Sequence, residues 1–211
     1  MEQTDQIAKD RDQDLTALGS VPSAPSSDVD SMRNLRNTLG QFATGVTIVT
    51  ALDPAGDMIG MTVNSFSSVS LDPPLVLWNL GETNYGYDVY QQADYFCINI
   101  LAADQSELAR KFAQASDDKF NTVKLKLGNN GIPLLEGCLA YLECTKEAQY
   151  PGGDHVIIIG RVERFLSTNR QPLLFYTGQF FDLAKKSETT EKKEQHAAGA
   201  TPKNKLWLTR D

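Results

Sequence analysis

Residues 60–80, GMTVNSFSSVSLDPPLVLWNL, decide the fold class of this chain. The stretch places six small polar side chains among apolar ones, stops at Asp72-Pro73-Pro74 and continues as an apolar run. Buried strands prefer branched apolar side chains, whereas small hydroxyls favour turns and caps because they hydrogen-bond nearby backbone groups. We therefore expect two or three short strands with one polar face. That face is either the wet side of an edge strand or the lining of a site for a polar ligand.

Strand-like apolar runs recur on both sides of this stretch. They cover residues 45–52, 95–101, 139–150, 155–165 and 172–178. The turn sequences DPAGD (53–57) and PGGD (151–154) join neighbouring runs, which is typical of β-hairpins.

Helical patterns are confined to three short segments. Asp30 or Ser31 is expected to cap the first helix, whose apolar face is formed by Met32, Leu35, Leu39 and Phe42. A second helix is expected near residues 83–92, and Asp104 with Glu107 resembles a capping box that opens a third. Many strands with few helices, and no regular alternation of the two, argue against a doubly wound parallel sheet. The prediction is a mainly β fold, an antiparallel barrel with flanking helices at its ends.

The composition is that of an ordinary soluble domain. The chain has 211 residues, of which 41% are hydrophobic and 22% charged, and its formal net charge is -7. An acidic balance argues against binding to nucleic acid and against a polybasic membrane anchor. No apolar run is long enough to span a bilayer, and residues 1–15 lack the apolar segment of a secretory signal. The odd number of cysteines (Cys97, Cys138 and Cys144) fits reduced thiols, so we expect a cytoplasmic protein.

Three regions are expected along the chain. Residues 1–29 lack apolar periodicity and are interpreted as a flexible lead-in, and residues 30–183 as the folded domain. Residues 184–211 are highly charged and are expected to form a disordered tail, with an isolated apolar patch at 206–208.

Common catalytic and nucleotide-binding motifs are absent from the sequence. It contains no G-x-G-x-x-G, G-x-x-x-x-G-K, H-E-x-x-H, C-x-x-C or G-x-S-x-G pattern. The two histidines, His155 and His196, cannot form a multi-histidine metal site, so no metal centre is expected. Any chemistry must therefore rely on a bound cofactor or on carboxylates and hydroxyls.

Several segments together resemble the short-chain flavin reductases, the reductase components of two-component flavin-dependent monooxygenases. The opening stretch and LGQFATGVTIVTA (39–51), GIPLLEGCLAYLEC (131–144), GGDHVIIIGRVERF (152–165) and PLLFYTGQF (172–180) carry the resemblance, in the order of the family. The resemblance covers roughly residues 33–181. It implies a split β-barrel that binds FMN or FAD, is usually a homodimer and uses NADH or NADPH as reductant.

The resemblance also implies a set of site residues. In the family the opening stretch lines the flavin, and His155 faces the flavin and the incoming nicotinamide. Short polar side chains suit a flavin, whose ring has carbonyl and N–H edges and whose tail is hydroxylated and anionic. The residues expected to bind cofactor are Gly60, Met61, Thr62, Asn64, Ser65, Asn79, Lys111, Phe112, Phe175, Tyr176, Thr177 and Gly178, with Lys119 as a weaker phosphate candidate.

Each single residue also has a plain structural interpretation. Asn79 is alternatively a turn residue before Gly81, Lys111 a solvated helix charge, and His155 the end of a hairpin strand. Asp154 either orients the His155 imidazole or only caps the turn.

The implied reaction is hydride transfer from NADH to FMN or FAD, which supplies reduced flavin to a separate monooxygenase. NADH is favoured over NADPH because the sequence shows no pair of arginines placed to bind the 2′-phosphate of NADPH. Two alternatives stay open at this point: a split-barrel flavoprotein with tightly bound flavin and its own substrate, or a non-catalytic flavin- or haem-binding module.

Overall fold

The computed structural model describes residues 26–116 and 118–183. The predicted lead-in (1–29) lies outside the described residues except for 26–29, and the predicted tail (184–211) lies wholly outside them. The described part is mainly β, as the sequence predicts. Its strands are β1 (Thr44–Gly45), β2 (Thr47–Leu52), β3 (Met58–Val63), β4 (Ser67–Leu71), β5 (Pro74–Gly81), β6 (Tyr95–Ile100), β7 (Leu125–Leu127), β8 (Pro133–Leu135), β9 (Ala140–Gly152), β10 (His155–Ser167), β11 (Leu173–Tyr176) and β12 (Gln179–Asp182).

All strand pairs in the described residues are antiparallel. One sheet has seven strands in the order β3-β2-β6-β9-β10-β5-β4, a second has the order β1-β11-β12, and β7 pairs with β8. The long hairpin predicted over 139–165 is β9 and β10. Strands β7, β8 and β12 lie outside the predicted runs, and β7 and β8, with three residues each, carry too short an apolar pattern to recognise.

The seven-stranded sheet must curl, because its two edge strands are neighbours in the chain. β3 and β4 lie at opposite edges, yet only residues 64–66 connect them. A chain spans at most about 3.3–3.6 Å per residue, so the two edges lie close together. No hydrogen-bonded pairing joins β3 to β4 among the described strands. The sheet therefore curls without closing.

The interior of the curled sheet is filled by one hydrophobic cluster. Along β5 the inward positions Val76, Trp78 and Leu80 are buried, while the alternate positions are only partly so. The Trp78 ring meets Tyr90 edge-on at a centroid distance of 5.3 Å, and the Tyr90 hydroxyl donates to the carbonyl of Val49 at 2.9 Å. Full burial of each such side chain contributes about 1.5–3 kcal/mol.

A second cluster packs the outer face of the sheet against a helix and the smaller sheets. It includes Ile48, Leu101, Phe112, Leu135 and Leu173. A buried polar side chain forms hydrogen bonds in the same region: the Asn99 amide donates to the carbonyl of Ile48 and accepts from the backbone N–H of Leu135.

The helices differ from the prediction at their first residues. Helix α1 (Val29–Leu39) is capped by Asp28, whose side chain accepts from the backbone N–H of Ser31 at 2.8 Å. The prediction of Asp30 or Ser31 as the cap is therefore wrong. Most of its expected apolar face is exposed in this single chain: Leu35 is half-buried, but Met32, Leu39 and Phe42 are 47%, 66% and 78% exposed.

Helices α2 (Tyr87–Gln92) and α3 (Ser106–Ala113) lie close to the predicted positions. The capping box predicted from Asp104 and Glu107 is wrong. Asp104 instead pairs with Arg170, and the Gln105 side chain accepts from the backbone N–H of Ala102 in the 3-10 turn Ala103–Gln105. None of the helices in residues 26–116 and 118–183 is long and apolar enough to cross a membrane.

Candidate active site

A cavity of about 450 Å³ lies where the connection between β3 and β4 meets the end of β5. Its volume is in the range of small-molecule sites. Four regions supply the walls: the end of β3 with residues 64 and 65, the end of β5 with the turn after it, the end of α3 with the loop that follows it, and the start of β10. The lining residues are Met61, Thr62, Val63, Asn64, Ser65, Asn79, Gly81, Thr83, Asn84, Tyr85, Phe112, Ala113, Gln114, Ala115, Lys119 and His155.

Many of the residues expected to bind cofactor meet in this cavity. Residues 61, 62, 64 and 65 arrive from the opening stretch, Asn79 from β5, Phe112 from α3 and His155 from β10. The antiparallel register places His155 opposite Gly81, two residues beyond Asn79. Segments that are distant in sequence are thus brought to one place by the hairpins.

Two hydroxyls that line the cavity, those of Thr62 and Ser65, form hydrogen bonds within the protein. Thr62 donates to the carbonyl of Ala109 at 2.7 Å and so ties β3 to helix α3. Ser65 accepts from the backbone N–H of Asn79 at 2.9 Å and ties the β3–β4 connection to β5. These bonds position the cavity walls, whereas the Asn64 side chain, which also lines the cavity, is exposed.

Gly60 provides room for a buried ring behind the cavity. A Cβ at this position would lie 2.5 Å from Cε1 of Phe112 and 3.1 Å from Cζ of Phe120. The two rings meet edge-on at a centroid distance of 5.1 Å, and Phe112 is almost fully buried. Glycine is therefore required for Phe112 to close the wall between β3 and α3.

Lys119 is a buried cation in the cavity wall. Its ammonium donates to the carbonyls of Gly60 at 3.0 Å and Phe112 at 3.2 Å, and the residue is 9% exposed. Burial lowers the pKa of this lysine below its ordinary value. No carboxylate forms an ion pair with it in the described part of the chain.

Lys111 lies elsewhere on helix α3. Its ammonium donates to the Thr122 hydroxyl at 2.8 Å, and it lines a separate surface cavity with Glu107 and Glu136. Of the two lysines considered for phosphate, the structure brings Lys119 to the candidate site and leaves Lys111 outside its lining.

His155 stands at the rim, at the first position of β10. Its Nδ1 lies 2.7 Å from Asp154 Oδ1, and its Nε2 lies beside Gly81. The hydrogen bond from His155 lowers the pKa of the Asp154 carboxyl. Because Nδ1 faces this carboxylate, Nε2 is the ring nitrogen left at the rim of the cavity.

The segment Phe175 to Gly178 lies outside the cavity lining in this single chain. Phe175 packs against Phe180, and the Tyr176 hydroxyl donates to the Gln41 side chain at 2.9 Å. Thr177 and Gly178 form the turn between β11 and β12 with positive φ angles of 45° and 81°.

Thr83, Asn84 and Tyr85 also line the cavity; the prediction that the helix begins near residue 83 is wrong, because these residues form a turn and the helix begins at Tyr87. The sequence feature that could have identified these residues is their position directly after β5, the strand that carries Asn79 near its end. The Asn84 side chain accepts from the backbone N–H of Gly86 at 2.9 Å and so fixes the turn.

The cysteines take no part in this site. All three are buried and unpaired, and burial raises the pKa of Cys138 and Cys144 to about 12. Thiols of this kind are poor nucleophiles. No group of metal-ligating side chains occurs within residues 26–116 and 118–183.

Comparison with known proteins identifies the class. Residues 39–184 match the family model described as a flavin reductase like domain. The match covers most of the chain, so this protein belongs to the flavin reductase-like family.

Individual relatives agree with this assignment. The chain is 43% identical over 151 residues to the FMN reductase (NADH) SmoA of Agrobacterium fabrum, covering 72% of this chain and 86% of that protein. It is 41% identical to the reductase component of the flavin-dependent trigonelline monooxygenase of Acinetobacter baylyi, covering 75% of this chain but 51% of the relative. The NADH:FAD oxidoreductase SgcE6 of Streptomyces globisporus, solved with NAD and FAD fragments, superposes with a TM-score of 0.72 at 39% identity, covering 78% of this chain and 100% of that one.

Replacing Gly60 with alanine should destabilise the wall of the cavity. The added Cβ displaces the Phe112 ring, and overpacking of this kind costs about 1–3 kcal/mol. Urea unfolding of Gly60→Ala should therefore show a lower midpoint. Gly45→Ala is the matched control, because no atom lies within 4 Å of its added Cβ. Equal midpoints for the two variants would contradict the close packing at Gly60.

Lys119 should give the protein a pH-dependent stability in the alkaline range. Because its pKa is lowered in the folded state, the folded protein loses this proton at a lower pH than the unfolded chain. The free energy of unfolding therefore rises with pH below the ordinary lysine value of 10.5. Unfolding of wild type and Lys119→Met across this window measures the effect, with Lys126→Met as an exposed control. A slope that persists unchanged in Lys119→Met would contradict it.

Proposed function

We propose that this protein is an NADH-dependent flavin reductase that transfers a hydride from NADH to FMN or FAD and supplies reduced flavin to a separate monooxygenase. The observation that carries the proposal is a polar cavity, closed at one wall by a buried lysine and at its rim by a histidine, in a chain of the flavin reductase-like family. Relatives named as NADH-dependent flavin reductases and as monooxygenase reductase components support it.

The lining fits a flavin chemically. Thr62 and Ser65 hold β3 and its connection in place, so that backbone groups and the Asn64 side chain face the cavity. Lys119, a buried ammonium without a carboxylate partner among the described residues, suits an anionic phosphate. Bound flavin and nicotinamide supply the hydride-transfer chemistry, so the protein needs to bind, orient and exclude water.

His155 serves in this proposal to bind and orient the nicotinamide. Its contact with Asp154 holds the imidazole at Nδ1, so Nε2 is left for a hydrogen bond with the nicotinamide at the rim of the cavity. Hydride transfer needs no protein acid, so orientation is its main contribution. Phe112 lines the cavity from the end of α3, while Asn79 joins the site through its backbone bond to Ser65.

NADH is favoured over NADPH by the small number of basic groups. Lys119 and His155 are the basic side chains among the cavity lining residues, and the lining contains no arginine. A 2′-phosphate would lack the bidentate partner that arginine provides.

The proposal includes a split barrel and a homodimer. The unpaired edges of β3 and β4 support the split barrel. The exposed side chains of Leu39, Phe42 and Phe181, next to the β11–β12 turn, support an interface between two copies. The segment 175–178 lies outside the cavity of its own chain. In a homodimer with this interface, the segment would face the second copy. Three unpaired thiols support a cytoplasmic location.

Purified protein should oxidise NADH only when FMN or FAD is added, with a rate that saturates in flavin. Loss of NADH absorbance measures this. Turnover without added flavin would indicate a tightly bound prosthetic group instead. Flavin binding without turnover by either NADH or NADPH would contradict the reductase proposal.

In the same assay, His155→Ala should raise the KM for NADH about tenfold and change kcat less, because it removes an orienting contact rather than a proton donor. His196→Ala is the control, since His196 lies outside the family match. A loss confined to kcat with KM unchanged would indicate a chemical role for His155.

Light scattering should report twice the mass of one chain in solution. Phe42→Glu should shift the protein towards the monomer, because it places a charge on the apolar surface of the proposed interface. A wild-type protein that is monomeric at assay concentration would contradict the dimer.

A further inference from the structure

His155 has a glycine on each side of it in the seven-stranded sheet. It is the first residue of β10, and its cross-strand partners are Gly81 in β5 and Gly152 in β9. Directly opposed residues of an antiparallel sheet normally present side chains that contact each other. Because neither partner of His155 has a side chain, its imidazole has room to lie over a neighbouring strand.

The imidazole lies over Gly81 and not over Gly152. A Cβ added at Gly81 would have Nε2, Cδ2 and Cε1 of His155 as its nearest contacts, at 3.3, 3.6 and 3.8 Å. A Cβ added at Gly152 would instead meet the side chain of Ile157 at 3.3 Å and the backbone carbonyl of His155 at 3.5 Å. The ring therefore uses the space that a side chain at position 81 would narrow.

The backbone at Gly81 does not itself require glycine. Its φ angle lies outside the positive region that favours this residue, in contrast to Gly153 in the β9–β10 turn, whose φ angle is 74°. The contact with the imidazole therefore accounts for the glycine at position 81, whereas the backbone conformation does not.

The contact with Asp154 holds the ring only weakly by itself. Nδ1 of His155 lies 2.7 Å from the Asp154 carboxylate, but that side chain is 92% exposed, so water competes for it. Pairs of this kind at exposed positions contribute little. The contact with Gly81 restrains the other side of the ring, because Nε2 is the ring atom closest to the added Cβ.

We propose that Gly81 is a positioning residue for the hydride transfer: it lets the His155 imidazole lie against β5, so that Nε2 points to the nicotinamide of NADH. The inference rests on the proposed function, because that function makes the nicotinamide the partner of Nε2. Gly81 also lines the cavity, so a side chain there has a competing effect, direct obstruction of the ligand. Only positioning depends on the presence of His155.

A double-mutant cycle separates positioning from obstruction. Gly81→Ala should raise the KM for NADH about threefold and change kcat less, because the ring has to move by a few tenths of an ångström and a misplacement near 1 Å costs about 100-fold. In the His155→Ala background the same substitution should have no further effect. Gly152→Ala is the matched control, since its Cβ meets a neighbour at the same 3.3 Å but does not meet the ring.

An unchanged KM in Gly81→Ala would overturn the proposal. So would a rise of equal size in the presence and absence of His155, because that result indicates obstruction. An equal rise in Gly152→Ala would also overturn it, since the effect would then not depend on contact with the imidazole.

A measurement without turnover tests the position of the ring itself. The chain has two histidines, so proton NMR of the imidazole Cε1–H groups gives two signals, and His155→Ala assigns them. Gly81→Ala should shift the His155 signal, and Gly152→Ala should leave it in place. Absence of a shift in Gly81→Ala would overturn the proposal. Failure of the reductase function is seen separately, as wild type that binds flavin but oxidises no NADH.

Discussion

The connection of residues 64–66 between the two edges of the seven-stranded sheet is the constraint on which the rest of the structure depends. Because β3 and β4 are neighbours in the chain but lie at opposite edges, the sheet has to curl until its edges almost meet. The polar residues that would weaken a central strand fall at this junction. The Ser65 hydroxyl accepts from the backbone N–H of Asn79 and so ties the connection to β5. The candidate site is the gap that this arrangement leaves.

The same constraint explains how much of the fold could be predicted. Alternating or continuous apolar runs bounded by turn residues identified β2, β3, β5, β6, β9 and β10, because these strands carry the core. The helix starts were missed for a different reason. Asp28, Asp30 and Ser31 all suit a cap, and local sequence cannot choose among them. Asp104 pairs with Arg170, 66 residues away, and such a partner leaves no trace in a local pattern.

The candidate site was partly predictable for related reasons. Residues of the opening stretch and Asn79 lie close in sequence, and one hairpin register brings His155 to them. The choice between Lys111 and Lys119 was not predictable, because both follow the family pattern near helix α3. Only the tertiary structure shows that one ammonium reaches the carbonyls of Gly60 and Phe112 while the other reaches Thr122.

Lys119 links the architecture of the site to its proposed chemistry. Its bonds to β3 and to the end of α3 hold two walls of the cavity together, so the charge is present before any ligand arrives. A single ammonium with a lowered pKa attracts phosphate less strongly than a bidentate arginine pair would. A reductase that hands its reduced flavin to another protein has to release it in every cycle. Such a reductase has to bind flavin readily and also to release it. A preformed site allows binding with little reorganisation, and a site with one buried cation and mostly neutral polar groups holds the flavin by few charged contacts that would oppose its release.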